Sequence, residues 1–231
     1  MTKEKIIFCW SGGKDSAMAF HEIQKEGRYE IVALLTTMAD DFDRICMHGV
    51  RSRLLEQQAE AVGVPLHKIY VARSPTNKEY EAKMEEALLF YKSRGIAKVG
   101  FGDIFLEDLK EYRDKNLSKI GMSGLYPIWK RDTKELINAF VDMGFKAAIA
   151  CVDTRVLAPS FSGRMIDRSF IADLPAKVDP CGENGEFHSF VYDGPIFKRP
   201  VEFSLGESHV AEGFCFRDLV PESKELQETH I

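Results

Sequence analysis

The chain has 231 residues, of which 45% are hydrophobic and 29% are charged, and 31 basic and 36 acidic residues give it a formal net charge of −5. This composition is typical of a globular protein, and the length suffices for one domain or two small ones. The negative charge argues against a protein that works mainly on nucleic acid. The apolar runs are strand-sized and the first begins at Ile6, so we expect neither a membrane span nor a signal peptide.

The cysteines indicate a reducing compartment. There are five of them and no C-x-x-C pair, which speaks against a disulfide framework. Cys9 and Cys151 lie in apolar, strand-like runs, where cysteine packs as a small hydrophobic residue. We therefore expect a cytoplasmic protein.

The segment Ser11–Ser16, with the sequence SGGKDS, directly follows the apolar run Ile6–Trp10. This order predicts a strand, a tight glycine turn and a helix that begins near Lys14. Backbone N–H groups and the positive end of the helix dipole would then face one spot, which favours phosphate binding. The serine hydroxyls add donors, Lys14 adds a positive charge, and Asp15 can orient a donor or approach Mg²⁺. The spacing is not that of a Walker A loop.

Strand and helix patterns alternate through the first two thirds of the chain. The strand patterns after the first are at residues 31–37, 66–71, 98–104 and 147–152, and the helical ones are at 50–62, 76–94, 107–118 and 133–143. This alternation predicts an α/β fold, a doubly wound and mostly parallel sheet. Ligands bind beyond the carboxyl ends of such strands, so we expect the loops 11–16, 36–48 and 100–107 to converge on one cleft.

The last third of the chain has a different pattern. Strands are predicted at 187–192, 201–204 and 210–219, with a turn and short helix at 159–167. This predicts a smaller α+β domain packed at the cleft. We expect one domain over residues 1–125, a second over 126–222, and a frayed tail at 223–231.

Several separated blocks resemble known motifs, in the right order, over roughly residues 5–200. SGGKDS resembles the pyrophosphate loop (PP-loop) of the ATP pyrophosphatases. The segments Gly100–Arg113 and Gly124–Trp129 resemble the G-x-G-D-I…R…G-L-x-P-x-W block of the diphthine–ammonia ligase family. Ser162–Asp167 is similar to that family's L-G-R-x-L-D. Asp179–Val191, followed by Asp-Gly-Pro, is similar to its C-G-E-G-G-E-[FY]-x-[ST]-x-V…D-x-P.

The resemblance implies an adenine nucleotide α-hydrolase-like fold for the first domain and an ATP-dependent ligase activity. Members of this family adenylate the carboxylate of diphthine, a modified histidine of translation elongation factor 2, and transfer ammonia to it. AMP and pyrophosphate are released, and adenylation supplies the leaving group that a carboxylate lacks. The implied cofactors are ATP and Mg²⁺, and the implied partners are ammonium and elongation factor 2. A homodimer is left open, and free ammonium is expected because no glutaminase-like cysteine site is visible.

The resemblance also implies an ATP site. Its phosphate-binding residues would be Ser11, Gly12, Gly13, Lys14, Asp15 and Ser16, with Thr37, His48 and Gly102 near the nucleotide. Asp103 at a strand end would face the phosphates or their metal, so that Lys14 and Asp103 are catalytic and Asp15 and Asp103 approach Mg²⁺. In the alternative interpretation, Asp103 caps the following helix and His48 is an ordinary residue at a helix start.

The block 181–188 is the candidate acceptor side of the site. Glu183 and Glu186 flank a glycine turn and His188 follows, so these side chains could hold a cationic group, position ammonia or act as a base. Asn184 stands where the family more often has a second glycine, and we expect it and Arg164 to contact the acceptor. The open alternatives are solvated turn carboxylates, a structural histidine and a surface arginine. Cys181 as a nucleophile lacks an assigned base.

Other functions remain open at this stage. The same loop chemistry could serve another small-molecule carboxylate or a tRNA, although a tRNA enzyme usually needs a basic face and often paired cysteines. The third hypothesis is a non-catalytic ATP-binding protein. Lys14 together with the acidic block 181–188 argues against it.

Overall fold

A computed structural model of the chain describes residues 2–39, 44–45, 49–72 and 76–222. The predictions for His48 and for the tail 223–231 lie outside these residues. Within the described ranges, no helix is long and apolar enough to cross a membrane.

The first sheet is built mainly from parallel strands. The described part of the chain contributes β1 Glu4–Cys9, β2 Tyr29–Ala39, β3 Arg44–Ile45, β4 Leu66–Val71, β5 Lys98–Gly100 and β6 Ser123–Leu125. Strands β4, β2, β1, β5 and β6 lie side by side in that order, all parallel, and the short β3 pairs antiparallel with the end of β2. The chain thus moves to one side of β1 and then to the other, as in doubly wound sheets.

Helices cover both faces of this sheet. They are α1 Lys14–Glu26, α2 Ser52–Val62, α3 Asn77–Lys92 and α4 Glu107–Lys119. Helix α2 ends at Gly63, whose φ of 81° is in the left-handed region that glycine adopts easily. Alternate residues of β1 serve the two faces: Ile6 and Phe8 belong to the apolar core that includes α1 and α2 residues, and Ile7 belongs to the core that includes α3 and α4 residues.

The second sheet is antiparallel and smaller. Its elements in the described residues are α5 Thr133–Asp142, β7 Lys146–Asp153, α6 Arg168–Asp173, β8 Phe187–Asp193, β9 Phe203–Ala211 and β10 Phe214–Pro221. The strand order is β8, β7, β10, β9. The α/β fold with a smaller α+β part is therefore confirmed, whereas the exact boundary at residue 125 stays a prediction.

Two local predictions were wrong, and one helix was missed. Residues 210–219 do not form one strand, because Glu212 and Gly213 have φ angles of 52° and 82° and turn the chain between β9 and β10. Helix α6 was missed, although Asp167 caps it by accepting a hydrogen bond from the Phe170 N–H at 2.7 Å. The strand predicted over 98–104 ends at Gly100.

The two sheets meet where β8 runs beside the loop that follows β1. The Val191 N–H donates to the Gly12 carbonyl at 2.9 Å, so the second sheet hydrogen-bonds directly to the glycine turn. A second contact joins β10 to the segment that includes β3 and the start of α2. Asp218 of β10 accepts hydrogen bonds from Arg44 at 3.0 Å and from Arg51 at 2.6 Å. These contacts hold the second sheet over the carboxyl ends of the first.

Candidate active site

A cleft of about 530 Å³ lies at the carboxyl ends of β1, β2 and β5. The strand order reverses between β1 and β5, and doubly wound sheets bind their ligands at such a point. The cleft is lined by most of the turn 11–16, by the loop after β5, by the end of β2, and by β8 together with the turn before it. The structure thus brings together the described parts of the three predicted loops and adds a fourth wall from the second sheet.

The turn before α1 is closed by its own hydroxyl groups. Ser11 Oγ accepts a hydrogen bond from the Gly13 N–H at 3.3 Å, and Ser16 Oγ donates to the Gly13 carbonyl at 2.8 Å. The two hydroxyls are 3.1 Å apart. Helix α1 begins at Lys14, so its N-terminal end points into the cleft, where an anion is stabilised.

Lys14 and Asp15 form a pair at the base of the cleft. Lys14 Nζ lies 2.8 Å from Asp15 Oδ2 and 5.1 Å from the centre of the Phe187 ring, and the lysine is only 4% exposed. Burial lowers the pKa of Lys14, but the nearby carboxylates, Asp15 above all and also Glu183, outweigh it and hold that pKa above its usual value. Burial raises the pKa of Asp15, and no described residue forms a hydrogen bond with its buried Oδ1. A charged lysine is therefore available for phosphate.

Gly102 allows the loop after β5 to approach the start of α1 closely. A Cβ at this position would lie 2.8 Å from the backbone carbon of Asp15 and from the backbone nitrogen of Ser16. Asp103 follows and pairs with Arg113: its Oδ1 accepts a hydrogen bond from Arg113 Nη2 at 3.2 Å, and its Oδ2 lies 2.8 Å from Arg113 Nε. The residue at the N-cap of α4 is Leu106, so Asp103 does not cap that helix.

Glu183 crosses from the second sheet to the loop after β5. Its Oε1 accepts a hydrogen bond from the Ile104 N–H at 2.8 Å, so it is not a freely solvated turn residue. Burial raises the pKa of Glu183 to about 7, although the backbone hydrogen bond from Ile104 and the charge of Lys14 oppose the rise. A carboxyl group that titrates near neutral pH can both accept and return a proton.

His188 and Asn184 also face the cleft. Burial and the nearby Lys14 charge lower the pKa of His188 to about 4, so its imidazole is neutral at physiological pH. Asn184 is exposed at the rim, although its side-chain Nδ2 donates to Glu186 Oε1 at 3.1 Å.

Three predicted site residues do not line the cleft. Gly12 is on the side of the turn that faces α2, where an added Cβ would lie 2.7 Å from Gln58 Oε1. Glu186 is buried inside its own turn and accepts hydrogen bonds from the backbone N–H groups of Asp179 and Asn184, at 2.9 and 3.0 Å. Arg164 donates to Asp173 at 2.8 Å, away from the cleft. The carboxylate of Glu186 and the guanidinium of Arg164 are thus engaged by neighbouring protein groups.

The end of β2 forms a separate wall of the cleft. Thr37 lines it together with Leu35 and, from β4, Ile69. The Thr36 hydroxyl donates to the Trp10 carbonyl, which ties β2 to the residue before the turn. These side chains form a mixed apolar and polar surface at a distance from the Lys14 ammonium, suited to the uncharged part of a nucleotide.

Cys181 is not placed to act as a nucleophile. The thiol is buried, donates to the Thr133 carbonyl at 3.3 Å, and has a pKa raised by burial. Thiolate is the reactive form of cysteine, so this residue is a packing group.

Sequence reasoning missed Gln58, Arg113 and Ser189. Gln58 is fully buried; it accepts from Trp10 Nε1 at 2.9 Å and donates to the Gly12 and Val191 carbonyls at 3.0 and 2.5 Å. A signal was present, because Gln58 is polar at a helical position four residues after the buried Leu54. Ser189 accepts a hydrogen bond from the Lys14 N–H at 3.1 Å.

Comparison with known proteins agrees with this architecture. Residues 4–124 match the diphthamide synthase N-terminal domain, and residues 132–219 match the diphthamide synthase C-terminal domain. The chain is 27% identical over 230 residues to diphthine–ammonia ligase of Homo sapiens. This alignment covers 89% of this chain and 85% of that protein. Its identity to diphthine–ammonia ligase of Danio rerio is 26% over 234 residues, covering 92% and 91%.

A relative from Schizosaccharomyces pombe, also named diphthine–ammonia ligase, is 24% identical over 234 residues, which are 92% of this chain but 38% of that longer protein. The two matched domains together span the first and second sheets. The chain therefore belongs to the diphthamide synthase family.

Proposed function

We propose that this protein is an ATP-dependent, AMP-forming ligase that converts the carboxylate of diphthine on elongation factor 2 into an amide. The observation that carries the proposal is one cleft in which Lys14 and the N-terminal end of α1 face Glu183 and His188 of the second sheet. Such a cleft combines a phosphate site with a proton-accepting site. The names of the relatives supply the acceptor, and they do not favour a tRNA substrate or a protein that binds ATP without turnover.

The first sheet provides the ATP side of the reaction. The phosphates would lie at the N-terminal end of α1, near Ser11, Gly13, Ser16 and the Lys14 ammonium, with the base toward Thr37. When a carboxylate oxygen of the acceptor bonds to the α-phosphorus, the bond to the β-phosphate oxygen breaks and pyrophosphate leaves. Lys14 and the helix end stabilise the negative charge that accumulates on the departing group.

Asp15 fits a Mg²⁺ ion that accompanies ATP. Its buried Oδ1 has no hydrogen-bond partner in the described part of the chain and is the kind of hard oxygen that Mg²⁺ prefers. No three acidic, histidine or cysteine side chains are grouped for a metal among the residues described, so substrate phosphates would complete the coordination. Bound Mg²⁺ would neutralise phosphate charge. Asp103 lines the same cleft as Asp15, but its carboxylate is already paired with Arg113.

The second sheet provides the acceptor and ammonia side. Ammonium must lose a proton before its nitrogen can attack the acyl carbon, and Glu183, with a pKa of about 7, can accept that proton. The nitrogen–carbon bond forms as the carbon–oxygen bond to AMP breaks, and the nitrogen releases one further proton, which goes to the departing phosphate of AMP or to solvent. His188 stays neutral beside the reacting groups, and Asn184 at the rim meets the incoming acceptor.

We also propose a division of labour at the boundary near residue 125. Residues 1–125 provide the main ATP-binding surface and residues 126–222 bind the acceptor. Because the acceptor is a translation factor, we place the protein in the cytoplasm, and we leave a homodimer to be settled by its mass in solution.

The experiment that tests the proposal measures AMP and pyrophosphate released from ATP, Mg²⁺ and ammonium, with and without diphthine-bearing elongation factor 2. We expect release that depends on the modified factor and is lost when EDTA removes Mg²⁺. Release that is indifferent to the factor would assign the chemistry to another carboxylate. No AMP under any condition would contradict the ligase proposal.

A further inference from the structure

Ser189, in β8 of the second sheet, caps helix α1, which packs against the first sheet. Gly13 occupies the N-cap position of α1 and has no side chain with which to bind a free helix N–H group. Ser189 of β8 takes this role, because its Oγ accepts a hydrogen bond from the Lys14 N–H at 3.1 Å. The first helical N–H of the phosphate turn is thus bound by a hydroxyl from the acceptor block.

The position of Ser189 relative to the turn is fixed by the backbone. The Val191 N–H donates to the Gly12 carbonyl at 2.9 Å, and Gln58 Nε2 donates to the carbonyls of both Gly12 and Val191. A Cβ on Gly13 would lie 3.1 Å from the Ser189 carbonyl oxygen, so strand and turn are in close contact. Ser189 therefore sits in a rigid position at the phosphate end of the cleft.

The Ser189 hydroxyl keeps one donor for a ligand. A serine hydroxyl can accept and donate at the same time, and Ser189 Oγ accepts from Lys14. No described residue accepts the Ser189 hydroxyl proton, and Ser189 lines the cleft while being only 3% exposed. A phosphate oxygen at the end of α1 is the acceptor that the surroundings favour, since Lys14 and the helix end attract negative charge there.

We propose that Ser189 is a pyrophosphate-binding residue of the ATP site, although the sequence places it in the acceptor block. This inference rests on the proposed function. It divides the acceptor block into two ends: Glu183 serves the acceptor and ammonia, and Ser189 serves the β- and γ-phosphates of ATP.

The test uses the full chain and two separate halves of ATP as probes, inorganic pyrophosphate and AMP, in calorimetric titrations. For Ser189→Ala we expect pyrophosphate binding to weaken by at least about 10-fold, the lower end of the range for a hydrogen bond to a charged group. AMP binding should stay within about twofold, because AMP lacks the β- and γ-phosphates. Ser189→Thr restores the hydroxyl and should restore pyrophosphate binding.

Ser208→Ala is the matched control, because Ser208 is exposed on β9 and far along the sheet from β8. Thermal unfolding of each variant separates a folding defect from a binding defect. Steady-state kinetics add a second readout, in which Ser189→Ala raises KM for ATP and leaves KM for the acceptor unchanged.

The inference is overturned if wild type and Ser189→Ala bind pyrophosphate equally, if Ser189→Thr binds as weakly as Ser189→Ala, or if only KM for the acceptor rises. A wild-type protein that binds neither pyrophosphate nor AMP would instead overturn the proposed function, and this inference with it.

Discussion

The Glu183 side chain accepts a hydrogen bond from the Ile104 backbone N–H at 2.8 Å, and this contact joins the second sheet to the loop after β5. The carboxyl group is thereby held beside the Lys14–Asp15 pair, and burial there raises the pKa of Glu183 to about 7. This contact therefore helps to form the cleft and also fixes the position of Glu183, the proposed base.

We predict that Glu183→Gln changes both activity and the pH dependence of stability. Folded Glu183 keeps a proton that the unfolded chain releases between about pH 4.5 and 7, so the free energy of unfolding falls as pH rises through that window. Glutamine cannot titrate, so the variant should lack this part of the pH dependence of the unfolding free energy. Ligation by the variant should be slower by about 100-fold or more, since general-base catalysis contributes that much.

Urea unfolding at several pH values and the pH–rate profile check this prediction. His188 acts in the opposite direction, because its lowered pKa costs stability as pH falls from about 6.5 to 4. The difference between wild type and variant isolates Glu183. A variant whose profile of stability against pH coincides with that of the wild type would show that Glu183 has an ordinary pKa.

We predict that Lys14→Met abolishes most of the ATP-dependent activity. Methionine is similar in length but leaves Asp15 without its ion-pair partner and the phosphates without the ammonium group. The expected loss in kcat/KM for ATP is about 100- to 1,000-fold, as for other removed transition-state donors. Lys25→Met, on the exposed last turn of the same helix, is the control and should retain full activity. Equal activities of the two variants would rule out a role for Lys14.

We predict that Gln58→Met destabilises the junction of the two sheets. The substitution leaves Trp10 Nε1 and the carbonyls of Gly12 and Val191 without this buried partner. The expected cost is about 3 kcal/mol of unfolding free energy, as for other unsatisfied buried groups. Gln24→Met, exposed on α1, should stay within about 0.5 kcal/mol of wild type. Chemical unfolding measures both, and a loss no larger than the control's would mean that Gln58 does not bind the sheets together.

We predict that Gly102→Ala weakens ATP binding by moving the start of α1. The added Cβ would meet backbone atoms of Asp15 and Ser16 at 2.8 Å, and backbone cannot give way as a flexible side chain can. Gly206→Ala is the control, because its Cβ would meet the Val220 side chain at 3.1 Å, far from the cleft. Titration with ATP should show at least about a 10-fold loss for Gly102→Ala alone. Unchanged affinity would show that the turn tolerates displacement.

Much of the fold follows from the sequence because its signals are local. The run before Ser11, the stop at Gly63 and the Thr76 capping box each determine an element end within a few residues. The hairpin at Glu212–Gly213 was missed because only Gly213 signals a turn there: Glu212 also adopts a positive φ, which its residue type does not indicate.

The candidate site was less predictable because it depends on contacts between distant segments. Nothing local distinguishes Glu183, which reaches across to Ile104, from Glu186, which closes its own turn. Likewise, Ser189 and Gln58 matter through partners more than 45 residues away, with separations of 175 and 46 residues to Lys14 and Gly12. Periodicity places such residues on a face but cannot name their partners.

The most direct test of the central claim is transfer of ¹⁵N from ammonium to elongation factor 2. Diphthine-bearing factor is incubated with ATP, Mg²⁺, ¹⁵N-ammonium and this protein, and the modified peptide is then analysed by mass spectrometry. We predict that the diphthine carboxylate becomes a ¹⁵N-amide, with one AMP formed per amide, and that Lys14→Met prevents it. Formation of AMP without ¹⁵N in the peptide, or an unchanged carboxylate, would contradict the account.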